Sequence, residues 1–375
     1  MTFMPIAPGH AEPIPAVGNR PRQFHCFEAD SIAAIDAALA AQRPLLLRGE
    51  PGIGKSQLAR AAALVLRRAY VQQVVDARTE SSDLLWSYDA VARLAEAQLQ
   101  GALKEGPTHL RRGLRGDRRR DLNKRLAVSA YVAPGPLWWA FDWASAEAQA
   151  RTAGAADPVP PDAGDAARRA DPERRCDPAN GCVVLIDEID KAESDVPNGL
   201  LEALGSGQFR PLGSARDVVA TGPAPLVIVT TNEERALPDA FLRRCMVLHL
   251  RLPSVKDAPA AFKRVLMERG RAHFSAPGET AGEDLLATAA DLLIADRQAA
   301  LLARRMPLPG QAEYLDLVRA VLCLAGDDPA AQETVLKRIA HFALKKHPDA
   351  LAELPPEPDT TDADGAPATP DPAVD

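Results

Sequence analysis

The sequence predicts an α/β protein: apolar strands and helices around a glycine-rich loop, followed by an all-α module. Three observations predict it. Residues 45–56, LLLRGEPGIGKS, place Gly49, Gly54, Lys55 and Ser56 in the pattern G-x-x-x-x-G-K-[ST], between a short apolar run and helical spacing. Two more apolar runs, VVLID at 183–187 and LVIVTT at 226–231, end in polar residues. Beyond Val255 the texture is helical throughout.

The chain in order begins with residues 1–22, rich in proline and expected to lack structure. A helix is expected over about 30–42, with Ile32, Ile35 and Leu39 on one face, closed by Pro44. Leu45, Leu46 and Leu47 read as a buried strand. Leu58, Ala61, Ala62 and Val65 then recur at helical spacing. A strand, a glycine-rich turn and a helix start suit an anion: the glycines let backbone N–H groups converge, and the helix terminus adds partial positive charge. Gly49, Glu50, Pro51, Gly52, Ile53, Gly54, Lys55, Ser56 and Gln57 are therefore the candidate nucleotide-binding residues. Lys55 would reach the β- and γ-phosphates, and the Ser56 hydroxyl would ligate Mg²⁺.

A second strand is expected at Val71–Val75 and a helix over 83–104. RRGLRGDRRRDLNKR at 111–125 is strongly basic. It suits a phosphate backbone or an acidic partner, and equally a solvated face. No aromatic residue interleaves the cluster, which disfavours single-strand binding. All four tryptophans, Trp86, Trp138, Trp139 and Trp143, fall within one stretch, which admits a partner surface or an inserted helical layer packed on the core. Residues 151–181 read as a flexible loop.

At 183–188 a buried strand ends on Asp187 and Glu188. Such a pair suits Mg²⁺ held by Asp187, partly through water, with Glu188 polarising the attacking water. A helix at 197–204, a hairpin at 208–220 and a third apolar strand at 225–232 follow. That strand ends on Asn232, which could bind a γ-phosphate or position water. LPDAFLRR, 237–244, is a short helix ending in Arg243 and Arg244, and Met246–Leu250 is a further strand. Helices are expected at about 256–270, 283–304, 311–325 and 330–346.

The chain has 375 residues, 46% of them hydrophobic, and a formal charge of −7. Glu353, Glu357, Asp359, Asp362, Asp364, Asp371 and Asp375 in the tail account for that imbalance, so bulk charge does not select a nucleic-acid partner. Five cysteines lack zinc-ligand spacing and read as thiols of a reducing compartment. No secretory signal or long apolar run is present, so a soluble cytoplasmic protein without membrane contact is expected.

GEPGIGKS, VVLIDEID, IVTTN and LPDAFLRR, in that order and followed by helices, resemble the AAA+ ATPases. LIDEIDKAESDVPNGLLEALGSGQFRPLG and GPLWWAF look most like the MoxR-type branch, close to the dynein-related AAA group. The resemblance implies a P-loop NTPase fold with a five-stranded parallel sheet, a C-terminal helical lid, and inserts at about 106–134 and 207–221. It implies a nucleotide-binding domain over 23–254 and a lid over 255–352; residues 353–375, rich in Pro, Asp, Ala and Thr, read by composition as an acidic disordered tail. The resemblance makes Lys55 and Ser56 the Walker A residues, Asp187 and Glu188 the Walker B residues, and Asn232 sensor 1. Arg243 or Arg244 becomes the arginine finger, with Arg244 favoured. The usual sensor-2 arginine is missing at Pro309–Gly310–Gln311, and Arg304 and Arg305 just before it are the candidate substitutes. The implied activity is ATP hydrolysis in a hexameric ring that remodels a protein client, for example a von Willebrand factor A domain protein. A nucleic-acid motor or a McrB-like GTPase subunit is the alternative. The chain has no N-K-x-D base-reading element, which favours ATP.

Overall fold

The computed structural model describes residues 2–16, 21–104, 125–153, 176–276 and 280–346. The sheet is built from β3 (Leu45–Arg48), β4 (Ala69–Val74), β7 (Cys182–Asp187), β10 (Leu226–Thr231) and β11 (Met246–His249), in the order β11-β3-β10-β7-β4. All neighbours run parallel, with Ile228 opposite Leu45 on one side and Leu185 on the other. The sequence expectation of a five-stranded parallel sheet therefore holds.

These strands read as unbroken apolar runs because both faces are covered. Leu45, Leu47, Leu185 and Ile228 pack on one face with Ile35 of α1 (Ala29–Ala41) and Leu58 of α2 (Lys55–Leu66). Leu46, Val184, Ile186 and Val229 pack on the other face with Trp138, Trp139 and Phe141. Alternate residues of one strand thus serve two cores, as the two-residue period requires.

The start of the chain departs from expectation. β1 (Ala11–Ile14) and β2 (Gln23–Cys26) form an antiparallel ribbon, and Met4, Ile14 and Phe27 are buried against α1 and α2. The Phe3 and Met4 amides donate to the Asp36 carboxylate. The prolines are tolerated because a two-stranded ribbon leaves one edge of each strand free of ladder bonds.

The helix expected over 83–104 is shorter. Ser81–Leu84 is a 3-10 turn, and β5 (Trp86–Tyr88) pairs antiparallel with β6 (Val132–Pro134). α3 (Ala90–Lys104) begins only afterwards. Leu84 and Leu85 belong to the core, whereas Val91, Leu94 and Leu99 are exposed, so the apparent periodicity joined two unrelated segments. α4 (Pro136–Phe141) and α5 (Trp143–Thr152) carry the tryptophans into the core. Trp139 meets Trp143 edge to face, and the Trp138 indole N–H donates to Ser145 Oγ at 2.8 Å. The cluster is core packing. The basic residues 111–124, most of 151–181 and the acidic tail lie outside the described residues.

After β7 come α6 (Asp195–Ser206) and a hairpin of β8 (Gln208–Phe209) and β9 (Val218–Val219), then β10, α7 (Asp239–Leu242) and β11. α8 (Pro259–His273), α9 (Glu283–Leu302), α10 (Gln311–Ala325) and α11 (Pro329–Leu344) form a separate apolar core around Phe262, Leu286, Tyr314, Val318 and Leu336. None of the described helices is long and apolar enough to cross a membrane.

Candidate functional site

Strand order decides where the polar residues meet. β3, β10 and β7 are adjacent and parallel, so the segments that follow them emerge at one end of the sheet. That end receives the glycine-rich loop after β3, Asn232 after β10, Asp187 as the last residue of β7 and Glu188 just after it. Ligands of open α/β sheets sit at these carboxyl ends. Two glycines of the loop are obligatory. A Cβ on Gly49 would lie 2.4 Å from the Leu250 carbonyl oxygen, and one on Gly52, at φ +75°, would lie 2.8 Å from Ala312 Cβ.

Lys55 opens α2 and is buried. Its ammonium donates to the carbonyls of Gly49 at 2.7 Å and Glu50 at 3.0 Å, and to Asn232 Oδ1 at 2.7 Å. Burial pulls its pKa below the ordinary lysine value, opposed first by the charge of Asp187. The Ser56 hydroxyl donates to the Asp187 carboxylate at 2.9 Å, and Thr230 Oγ1 donates to the same group at 2.6 Å. Thr230 Oγ1 also accepts from the Glu188 amide at 2.9 Å. Glu188 itself sits at φ 62°, a left-handed conformation that a non-glycine residue adopts only when its surroundings impose it. Asn232 Nδ2 donates to Glu188 Oε1 at 3.3 Å, and Lys191 Nζ donates to Oε2 at 2.6 Å. That hydrogen bond raises the Lys191 pKa.

These groups wall a cavity of about 350 Å³, large enough for a small molecule. The loop residues Pro51, Gly52, Gly54, Lys55, Ser56 and Gln57 line one side. Gln311, Ala312, Asp316 and Arg319 of α10 line the other. Asp187 has the chemistry of a divalent-cation ligand: among the described residues its side-chain hydrogen-bond partners are two neutral hydroxyls, and it makes no direct ion pair, with the Lys55 ammonium as a nearby opposite charge. The sequence-predicted residues Lys55, Ser56, Asp187, Glu188 and Asn232 are thus brought together.

Arg243 and Arg244 are not in the cavity wall. They precede β11, whose first residue, Met246, pairs with Leu45 at the start of β3. The phosphate-binding loop leaves the opposite end of β3, roughly 13 Å further along at about 3.3 Å per residue. Arg304 and Arg305 follow α9 and do not line the cavity either. The α10 cation that does line it is Arg319, which donates to Asp316 at 2.9 Å and lies over the Phe274 ring. Sequence reasoning missed it because Arg319 lies two turns beyond the start of that helix, and the local sequence does not show that this turn faces the cavity.

A second missed residue is Arg297 of α9, which is buried and bonds Glu50 of the glycine-rich loop. The sequence carried a signal for it. Leu286, Ala289, Ala290 and Leu293 define the buried face of α9, and position 297 continues that spacing with a cation.

Residues 44–115 match the AAA domain, dynein-related subfamily. No curated protein matches the sequence. Among solved structures, the chain is similar to a candidate ATPase from Cytophaga hutchinsonii at 16% identity and a TM-score of 0.32, covering 86% of this chain and 84% of that one. It is also similar to NtrX from Brucella abortus in complex with ADP, at 12% identity and a TM-score of 0.39. That match covers 81% of this chain and 52% of NtrX, so this chain spans about half of its length. The match to an AAA domain of the dynein-related subfamily thus falls on the phosphate-binding loop that follows β3, in the same parallel sheet whose strand β7 carries the acidic pair, one strand removed.

Proposed function

We propose that this chain is a MoxR-like AAA+ ATPase that works as a head-to-tail ring, hexameric by resemblance, and remodels a protein client. Residues 23–254 would form the ATPase unit and 255–352 its lid. The observation that carries the ring is the position of Arg243 and Arg244 at the sheet end opposite their own phosphate-binding loop. Negative charge builds on the γ-phosphoryl oxygens during transfer, and a guanidinium brought in from outside is worth about 10³–10⁵ in rate. An arginine that faces away from its own site can serve a neighbour's, and a heterologous interface of that kind closes into a ring when its rotation permits.

Within one subunit the bonds support the following roles. The loop amides and Lys55 bind the triphosphate. Ser56 and Asp187 would hold Mg²⁺, which supplies charge neutralisation at the β- and γ-phosphates. Glu188 accepts the proton of the attacking water once Lys191 has released it, and Asn232 fixes the carboxylate's direction. Arg319 offers positive charge from the lid side of the cavity. The inserts at about 106–134 and 207–221, the second of which holds the hairpin of β8 and β9 with its Arg210–Asp217 ion pair, would pass motion to a client such as a von Willebrand factor A domain protein.

The test is a mixing experiment. Lys55→Ala subunits lack the site and keep the finger; Arg244→Ala subunits lack the finger and keep the site. Each alone should be nearly inactive. Mixed, they should recover phosphate release, because some interfaces then pair an intact site with an intact arginine. No recovery from co-assembled subunits, or full-rate hydrolysis by a strict monomer, would overturn the shared site. Glu188→Gln should bind ATP at wild-type affinity and hydrolyse it at least 10²-fold more slowly.

A further inference from the structure

Glu50 occupies the second position of the phosphate-binding loop and touches two different partners. Its backbone carbonyl accepts from the Lys55 ammonium at 3.0 Å. Its carboxylate accepts from Arg297 Nη2, with both oxygens at 2.7 Å. The guanidinium belongs to α9, where its side chain is only 8% exposed. Three parts of the helical module converge on it. Arg297 Nη1 donates to the Pro309 carbonyl at 2.8 Å, just before α10. The guanidinium carbon also lies 5.6 Å from the centre of the Phe262 ring on α8. Next to this pair, Gly52 abuts Ala312 in the first turn of α10.

A buried guanidinium deprived of its carboxylate is strongly unfavourable, so the pair resists separation. Any movement of α9 and α10 relative to the sheet must then pull on Glu50 or break the bond. Pulling on Glu50 shifts the peptide that Lys55 leans on. The lysine must leave that carbonyl to reach a phosphate.

We propose that Arg297 is a positioning residue for nucleotide binding: through Glu50 it sets the phosphate-binding loop, and with it Lys55, according to where the lid stands. The proposal rests on the reading of residues 255–352 as a nucleotide-coupled lid, and it assigns the physical connection. The missing cation at the start of α10 is consistent with this route. Lid position reaches the phosphates through the loop's own backbone.

The experiment is equilibrium titration of the full chain with MgATP and with MgADP, followed by calorimetry, on wild type, Glu50→Gln, Arg297→Gln, Arg297→Lys and the double Gln variant. Glu50→Gln alters a half-exposed side chain and leaves the lid core intact, so it remains informative if Arg297→Gln folds poorly. Each single Gln variant should bind ATP about tenfold more weakly, within the usual range of coupling between sites. The double variant should bind no more weakly than the worse single variant. Arg297→Lys should recover part of the loss. KM for ATP should rise in parallel, with kcat changed less. Unchanged ATP affinity in Glu50→Gln, or losses that multiply in the double variant, would overturn the proposal. So would a lowered melting temperature with affinity intact, since that is what a merely structural contact gives. These binding measurements need no ring, so the mixing experiment can fail while the connection stands, or succeed while it falls.

Discussion

His25 of β2 should make the protein's stability fall as the pH drops below neutrality. The ring is buried at the meeting of β2, the phosphate-binding loop and the helical module, edge to face with Phe27 at 4.9 Å, and its Nε2 finds no hydrogen-bond partner among the described residues. Burial, and then the charges of Arg269 and His273, pull its pKa from 6.5 down to about 3. His273, itself pushed downward by burial, accepts at Nε2 from the Phe24 amide at 3.3 Å. The sign follows from proton counting. The unfolded chain binds a proton near pH 6.5 and the fold resists it until about 3, so between those values the unfolded state holds more protons. Stability is unaffected above the unfolded value and is lost progressively as pH falls toward the folded one. The loss works out to roughly 2 kcal/mol at pH 5, to within a factor of about two. The assay is urea unfolding followed by tryptophan fluorescence at pH 7.5 and pH 5, on wild type and His25→Phe. The variant keeps the edge-to-face ring and removes the titrating group. Carboxylates and His273 titrate in both proteins, so the quantity that matters is the difference between them. Wild type should lose about 2 kcal/mol more than His25→Phe over that interval. Equal losses would refute the reasoning and imply that His25 is protonated or partnered in solution.

Two other outcomes follow from packing. Gly52→Ala should cost about 1–2 kcal/mol from its left-handed backbone and displace the first turn of α10, with ATP binding weakened. Adding Ala312→Gly should restore binding and leave the backbone cost, which calorimetry and thermal melts separate. Trp138→Phe should destabilise by about 1 kcal/mol through loss of the bond to Ser145, without changing nucleotide affinity.

How far the sequence spoke for the structure depended on how local each feature is. The phosphate-binding loop is eight consecutive residues, and the anion restricts the types at Gly49, Gly54, Lys55 and Ser56, so the loop could be read directly. The three central strands could be read because helices cover both faces of the sheet and leave no polar alternation to confuse them. Met4, Ile14 and Phe27 were hidden by neighbouring prolines, since their burial depends on α1 and α2 further along the chain. The break between Leu84 and Ala90 was hidden because β5 finds its partner, β6, more than forty residues later. Arg319 lines the cavity and Arg297 holds Glu50 of the loop, both from helices that reach the sheet only after the chain has folded over. A cation on the apolar spacing of α9 was visible, but its partner Glu50 lies 247 residues away.

The bonds of Lys55 have one consequence for how a nucleotide enters. All three acceptors around its ammonium, the two loop carbonyls and the Asn232 amide, are uncharged. An incoming phosphate therefore displaces dipoles and breaks no ion pair at that nitrogen. The exchange trades neutral acceptors for a fully charged one, so a phosphate's approach to Lys55 is opposed only by the loss of three dipolar contacts.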